Sequence, residues 1–191
     1  MTVPIDPSHP AEARLFGDTL TCELAVAAAF AVKPLPAGAA QAAAAMLRAV
    51  ATVEDTGAPA PDERHESTPG LQRVEAKIDL MLGLLGRLAE RDGSALPVRP
   101  VRWSYKGMRL DLETAPDLAD DTPGVLALHP APWLAASIAL PARVLARADA
   151  GDRHCLWLAF DSMPDALSDA MERHLFRLHR RQIAAQRGTA S

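Results

Sequence analysis

Basic side chains around a serine–glycine turn are the residues whose types and spacing could do chemistry in this sequence. Arg102 and Lys106 flank Ser104, and Gly107 follows, within the run RPVRWSYKGMR. A tight turn with a hydroxyl and several cations can bind phosphate, because backbone N–H groups and guanidinium forks converge there. An ordinary hairpin whose outward positions are basic explains the same residues, so both interpretations stay open.

A second basic group lies on the last predicted helix, Pro164 to Gln186. Arg173, Arg177 and Arg181 follow one another four residues apart, and Arg180 lies beside them. This spacing places a cationic ridge next to the apolar stripe of the helix. The ridge could bind an anion, whereas a solvated helix end whose cations complement the helix dipole also accounts for it.

Catalytic and metal-binding motifs are missing from the sequence. It contains no GxSxG, HExxH, Gly-rich P-loop or GxGxxG segment, and its six histidines are scattered. The acidic cluster from Asp62 to Glu66 falls in a proline-rich loop, which is more typical of a solvated loop than of a metal site. We therefore expect a protein that is not an enzyme and that holds no metal or cofactor.

The composition excludes several other classes. A chain of 191 residues with 49% apolar residues can bury a core, and a net charge of −4 argues against a protein that coats nucleic acid. The longest apolar stretch, Leu24 to Val32, is far short of the ~20 residues that span a bilayer. Cys22 and Cys155 form no CxxC pair, and no secretory signal precedes them, so we expect a cytoplasmic protein without a membrane span.

The most regular periodicity in the chain runs from Leu71 to Arg91. Apolar residues step by alternating threes and fours, the heptad pattern of a coiled coil. The helix predicted here is either buried in its own domain or shared between subunits of a homo-oligomer, and the pattern fits both. The heptad positions are Leu71, Val74, Ile78, Met81, Leu85 and Leu88.

The order of predicted elements is strand, two helices, five strands and a final helix. Residues 1–14 are expected to be disordered or extended, and residues 15–187 to form a single domain with a helical insertion at about 33–95. Short strands in such a row favour a mainly β fold, either a small barrel or a strongly twisted sheet. The first strand is predicted at Leu15–Val26 and the first helix at Ala37–Val53. The later strands are two within Val98–Glu113, then Gly124–His129, Leu134–Arg147 and Asp152–Phe160.

The Ser104-x-x-Gly107 turn at the start of a strand pair, followed by three strands and a helix, resembles the PilZ family. The resemblance implies a six-stranded antiparallel barrel with a C-terminal helix, and cyclic di-GMP as the ligand. The inserted heptad helix is similar to that of the atypical, tetrameric xanthomonad-type branch. The family's motifs are RxxxR near the N-terminus and [D/N]xSxxG, but here Arg102 takes the place of Asp or Asn, and only Arg14 precedes the first strand.

The resemblance therefore implies a cyclic di-GMP-binding effector with a non-standard site, which relays the signal to an unidentified protein partner. One wall of that site is expected at the turn and the other at the arginines of the last helix, which replace the missing RxxxR pair. The alternative is a ligand-free, PilZ-like oligomerisation or adaptor module. The expected ligand-binding residues are Arg102, Ser104, Lys106, Gly107, Arg173, Arg177, Arg180 and Arg181.

Overall fold

A closed, six-stranded antiparallel β-barrel forms the centre of the computed structural model, which describes residues 9–56, 96–134, 136–150, 153–160 and 162–188. Around the barrel the strands follow the order β1-β2-β3-β6-β5-β4, and a β-bulge between Val144 and Ala146 interrupts the β5–β6 register. The mainly β barrel predicted from the sequence is confirmed. The strands are β1 (Cys22–Ala31), β2 (Val98–Ser104), β3 (Gly107–Leu112), β4 (Pro123–Leu128), β5 (Ile138–Ala150) and β6 (Arg153–Ala159).

The alternation of side chains along β2 and β3 separates the barrel interior from its outer face. Trp103 pairs with Met108 across the two strands, and both are fully buried in the main apolar cluster. Arg102 pairs with Arg109 in the same ladder. Because successive side chains of a strand point to opposite faces, this second pair lies on the outer face of the barrel.

Three helices accompany the barrel in the described part of the chain: α1 (Pro10–Phe16), α2 (Ala39–Thr56) and α3 (Asp165–Gly188). Helices α2 and α3 pack against each other, and their apolar faces join the main core. Alanine is the best helix former, so the alanine-rich α2 follows from its composition. The buried positions of both helices recur at helical spacing. They are Ala43, Ala44, Leu47, Leu167, Met171 and Leu175.

The N-terminal helix α1 corrects the sequence-based prediction. The segment Pro10–Arg14 is helical rather than disordered or extended, and the first strand begins at Cys22 instead of Leu15. His9 caps the helix by accepting a hydrogen bond from the Ala11 N–H, and proline suits its first turn. Leu15 and Phe16 form the apolar face of α1 and are buried against the barrel. The apolar pattern that predicted a strand from Leu15 therefore belongs, at its start, to a short helix.

The heptad positions Leu71, Val74, Ile78, Met81, Leu85 and Leu88 lie outside the described residues, as does most of the predicted helical insertion. The beginning of that insertion is the helix α2. Within the described ranges, no helix has the length and apolar character needed to cross a membrane.

Candidate ligand-binding site

The serine–glycine turn between β2 and β3 lies beneath α1. The Ser104 hydroxyl is fully buried, donates a hydrogen bond to the Leu15 carbonyl (2.7 Å) and accepts one from the Lys106 N–H (3.1 Å). A Cβ atom at position 107 would lie 2.2 Å from the Leu158 carbonyl oxygen, so only glycine allows β3 and β6 to approach this closely. In the observed state, the turn holds α1 on the barrel.

A buried carboxylate of α1 meets a cluster that we call the Glu12 cradle, formed by Arg102, Arg109 and Trp157. The Glu12 carboxylate accepts hydrogen bonds from Arg102 Nη1 (2.6 Å), Arg109 Nη1 (2.8 Å) and Trp157 Nε1 (2.8 Å). The Nε atom of Arg109 also donates to Asp111 (2.9 Å). Burial by itself lowers the pKa of Arg109, but the bonds and charges of Glu12 and Asp111 raise it above its ordinary value.

A cavity of about 650 Å³ lies between the outer face of α3, the β2–β3 turn and the loop after α1. We call it the α3 cavity. Three basic residues of α3 line it: Arg173, Arg177 and Arg180. The aromatic rings of Tyr105 and Phe176 also line it, and they offer faces on which a planar ligand could stack.

Acidic side chains line the same cavity, so its charge is only moderately positive. The negative charges of Asp18 and Glu172 offset two of the three arginine charges, which leaves a formal excess of one positive charge (three minus two). Guanidinium groups bind phosphate, and carboxylates accept hydrogen bonds from the N–H groups of a base edge. The cavity therefore has the chemistry for an anionic ligand that carries a planar, hydrogen-bonding ring.

A smaller cavity of about 360 Å³ adjoins the same turn and shares Tyr105 with the α3 cavity. Lys106 and Arg14 line it together with Ser168 of α3. The Lys106 ammonium group lies 5.9 Å from the centre of the Tyr105 ring. Tyr105 thus lines both basic cavities.

The structure divides the site residues expected from the sequence among four places. Arg102, Ser104 and Gly107 contact α1 or the neighbouring strand, and Lys106 lines the smaller cavity. The α3 cavity contains Arg173, Arg177 and Arg180, whereas Arg181 pairs with Glu54 of α2. Arg177 is shared, because its Nε atom lies 4.0 Å from Glu54.

Several residues of these sites carried no signal in the sequence. Glu12 is separated by 90 residues from Arg102 and by 145 from Trp157, so no local spacing could connect them. In the sequence, Tyr105 and Phe176 lie within or next to the two sets of basic residues, but nothing distinguishes them from ordinary strand and helix residues. The only aromatic clue was the position of Tyr105 between Ser104 and Gly107.

A buried histidine lies behind the arginines of α3. His174 is fully buried, and its ring centre lies 5.6 Å from that of Trp103 in the barrel interior. Burial and the neighbouring charge of Arg177 lower the pKa of His174 to about 4. The ring is therefore neutral at physiological pH and contributes to the core rather than to the positive charge of the cavity.

The closed six-stranded barrel and the helices that cover it define a small β-barrel domain with a basic cavity at its surface. A family model described as "Atypical PilZ domain, cyclic di-GMP receptor" matches residues 47–188. The chain is also similar to a crystal structure from Xanthomonas campestris, described as a pathogenic protein with a new tetrameric PilZ domain that self-assembles through an unusual helical bundle.

That similarity covers 91% of this chain and 96% of the Xanthomonas chain, with 44% sequence identity and a TM-score of 0.77. No curated protein matches the sequence. The chain belongs to the atypical PilZ domain family, which is a family of receptors rather than of enzymes.

Proposed function

We propose that this protein is a non-enzymatic effector that binds cyclic di-GMP in the α3 cavity and relays the signal through contacts with a partner protein. The supporting observation is that three arginines of α3 and Tyr105 line one cavity beside the β2–β3 turn. The family's description as a cyclic di-GMP receptor supports the choice of ligand. In this proposal the α3 arginines replace the RxxxR pair that the sequence lacks.

The chemical roles within the cavity follow from its lining. Arg173, Arg177 and Arg180 pair with the two phosphates, because guanidinium forks match phosphate oxygens. Tyr105 and Phe176 stack on guanine rings, and such base–aromatic stacking contributes about 1–3 kcal/mol per base in other proteins. A phosphate near Lys106 could extend the site into the smaller cavity.

Titration calorimetry with cyclic di-GMP tests the proposal. We expect the wild-type protein to bind with a Kd in the micromolar range or tighter. Replacing Arg173 or Arg180 by alanine should raise Kd about tenfold or more, since a charged hydrogen bond to phosphate contributes about 1.5–3 kcal/mol. The variant Arg187→Ala is the matched control, because it removes an exposed arginine of the same helix outside the cavity.

Wild-type protein that shows no binding at high ligand concentration would refute the effector proposal. Equal losses in Arg173→Ala and Arg187→Ala would show a non-specific charge effect instead of a site. Because Arg173 and Arg180 are exposed, their loss should leave folding intact.

The second candidate is a PilZ-like oligomerisation or adaptor module that does not bind cyclic di-GMP. The tetrameric assembly of the Xanthomonas relative supports it, as does the position of α1 over Arg102 and Ser104. In both candidates we propose a homo-oligomer held by the heptad segment. We place the protein in the cytoplasm, an assignment supported by two buried cysteines that form no disulfide.

A further inference from the structure

A ring and a carboxylate from α1 lie side by side on the outer face of the barrel. The His9 ring stacks flat on the Trp157 indole, with ring centres 4.4 Å apart and planes within 3° of parallel. Next to it, the Glu12 carboxylate is held by two guanidinium groups and the indole N–H. A planar ring on an aromatic face beside an oxyanion held by arginines is how proteins commonly hold a nucleotide.

The Glu12 cradle has features of a built site rather than of a surface ion pair. Only 4% of the Arg109 side chain is exposed, and Asp111 fixes its Nε atom independently of α1. The Nη2 atom of Arg109 is buried and has no hydrogen-bond partner within the described residues. One strong donor in the cradle therefore remains unused while Glu12 occupies it, although buried donors are normally satisfied.

Helix α1 packs on the barrel through an apolar cluster of its own. Ala11, Leu15 and Phe16 contact Cys155, Trp157 and Ala159, and this cluster is separate from the main core. Removal of α1 would therefore uncover the outer face and leave the barrel interior closed. A two-turn helix with such contacts is the kind of unit that opens locally, well below the free energy of global unfolding.

We propose that α1 is an internal occupant of a second binding face, in which His9 takes the place of a base and Glu12 that of a phosphate. When α1 leaves, the same face takes a purine nucleoside monophosphate or a comparable molecule, with its ring on Trp157 and its phosphate in the Glu12 cradle. Ligand and α1 exclude each other. The proposal is independent of the α3 cavity, because the two sites share no lining side chain.

The test uses 5′-GMP as the probe, with the full-length protein and its Glu12→Gln variant. Binding to a face that is open only part of the time is weakened by the open fraction. If α1 is docked at least nine-tenths of the time, the Gln variant should bind 5′-GMP roughly tenfold or more tightly than the wild type. A purely structural role for Glu12 predicts the opposite, because loosening α1 then creates no new affinity.

Three controls define the site. The variant Asp117→Asn removes one exposed negative charge outside the cradle and should leave the affinity unchanged. Adding Arg102→Gln to the Glu12→Gln variant should abolish the gain. Guanosine and inorganic phosphate should each bind more weakly than 5′-GMP, since each offers only half of the recognised pattern.

Equal or weaker binding of 5′-GMP by a folded Glu12→Gln variant would overturn the proposal. Should that variant fail to fold, tryptic cleavage of the wild type after Arg14 decides, because Leu15 is buried while α1 is docked. Added 5′-GMP should accelerate that cut several-fold, and an unchanged or slower cut contradicts the proposal. Neither readout involves the α3 arginines, so the result stands apart from the cyclic di-GMP titration.

Discussion

At the scale of single residues, the Ser104–Gly107 turn does more than connect two strands. Its hydroxyl bridges the carbonyl of α1 and the N–H of Lys106, and its glycine lets β6 pass at close range. Both residues are thus explained by packing, whether or not a ligand contacts the turn. The same bond ties α1 to the segment that carries Tyr105 and Lys106, which line the two basic cavities.

Replacing Ser104 by alanine should lower the free energy of unfolding by about 1–3 kcal/mol. The substitution leaves the buried Leu15 carbonyl and the Lys106 N–H without this partner, and such unsatisfied groups carry that cost. Urea unfolding followed by circular dichroism measures the change. The half-buried Ser168→Ala is a suitable control and should change stability by less than about 0.5 kcal/mol. A Ser104→Ala variant as stable as the wild type would contradict this role.

Sequence spacing located the basic groups but not their partners. The arginines of α3 were identified because helical periodicity groups residues three and four positions apart, and three of the four now line one cavity. Glu12 was missed because its charge is matched by strands 90 to 145 residues away, and only the closed barrel brings them together. Arg102 was predicted from the sequence to bind the ligand, but the sequence could not show that the Glu12 carboxylate pairs with its guanidinium group.

At the scale of the elements, α3 combines two faces with opposite requirements. One face presents arginines to the cavity, and the other buries His174 among apolar residues next to Trp103. The charged groups around this histidine are Arg177 and Arg181 of α3 itself and Glu54 of α2. Burial and Arg177 disfavour its protonation, so the packing of α3 depends on a neutral ring.

This arrangement predicts a loss of stability in mild acid. The pKa of His174 is about 4 in the folded state against 6.5 for the free side chain, so the unfolded state binds more protons between these values. The contribution of the neutral His174 ring to the free energy of unfolding is present above pH 6.5 and is lost as the pH falls towards 4. Between pH 7 and pH 5 the loss is about 2 kcal/mol. Urea unfolding at both pH values measures this difference, and His174→Leu should remove most of it. Equal pH dependence in the two proteins would disprove the assignment.

Element prediction succeeded for β2 to β6, α2 and α3, and it failed for the N-terminal segment, where tertiary packing decides the structure. The boundaries of β2 to β6, α2 and α3 agree with the predicted segments to within a few residues. Helix α1 was missed because seven residues are too few to show a helical period, and an isolated helix of that length is unstable in water. Its stability comes from the barrel surface, which local sequence does not reveal.

At the scale of the whole molecule, the proposed assembly depends on the heptad segment. Ile78→Asp should convert an oligomer into smaller species, because it places an unpaired charge in the apolar seam between helices. Size-exclusion chromatography with light scattering measures the mass, and we expect an oligomer for the wild type. The control Ala76→Asp puts the same charge at a heptad position away from the seam and should keep the wild-type mass.

A wild-type monomer would contradict the assembly. If the Ile78→Asp variant instead keeps the wild-type mass and unfolds more easily, the heptad helix packs on its own subunit. Both interpretations were open from the sequence, because an apolar helix of this length fits either environment.

The closed ring of strands also limits how partner proteins can bind to this protein. β1 bonds to β2 on one side and to β4 on the other, so every strand of the barrel has two hydrogen-bonded neighbours. No strand of the described barrel therefore offers a partner one whole free edge to extend with a strand of its own, a common way for peptides to dock on a sheet. We expect recognition to use side chains on the helices, the loops and the outer barrel face, because such surfaces can change sequence without disturbing the barrel interior.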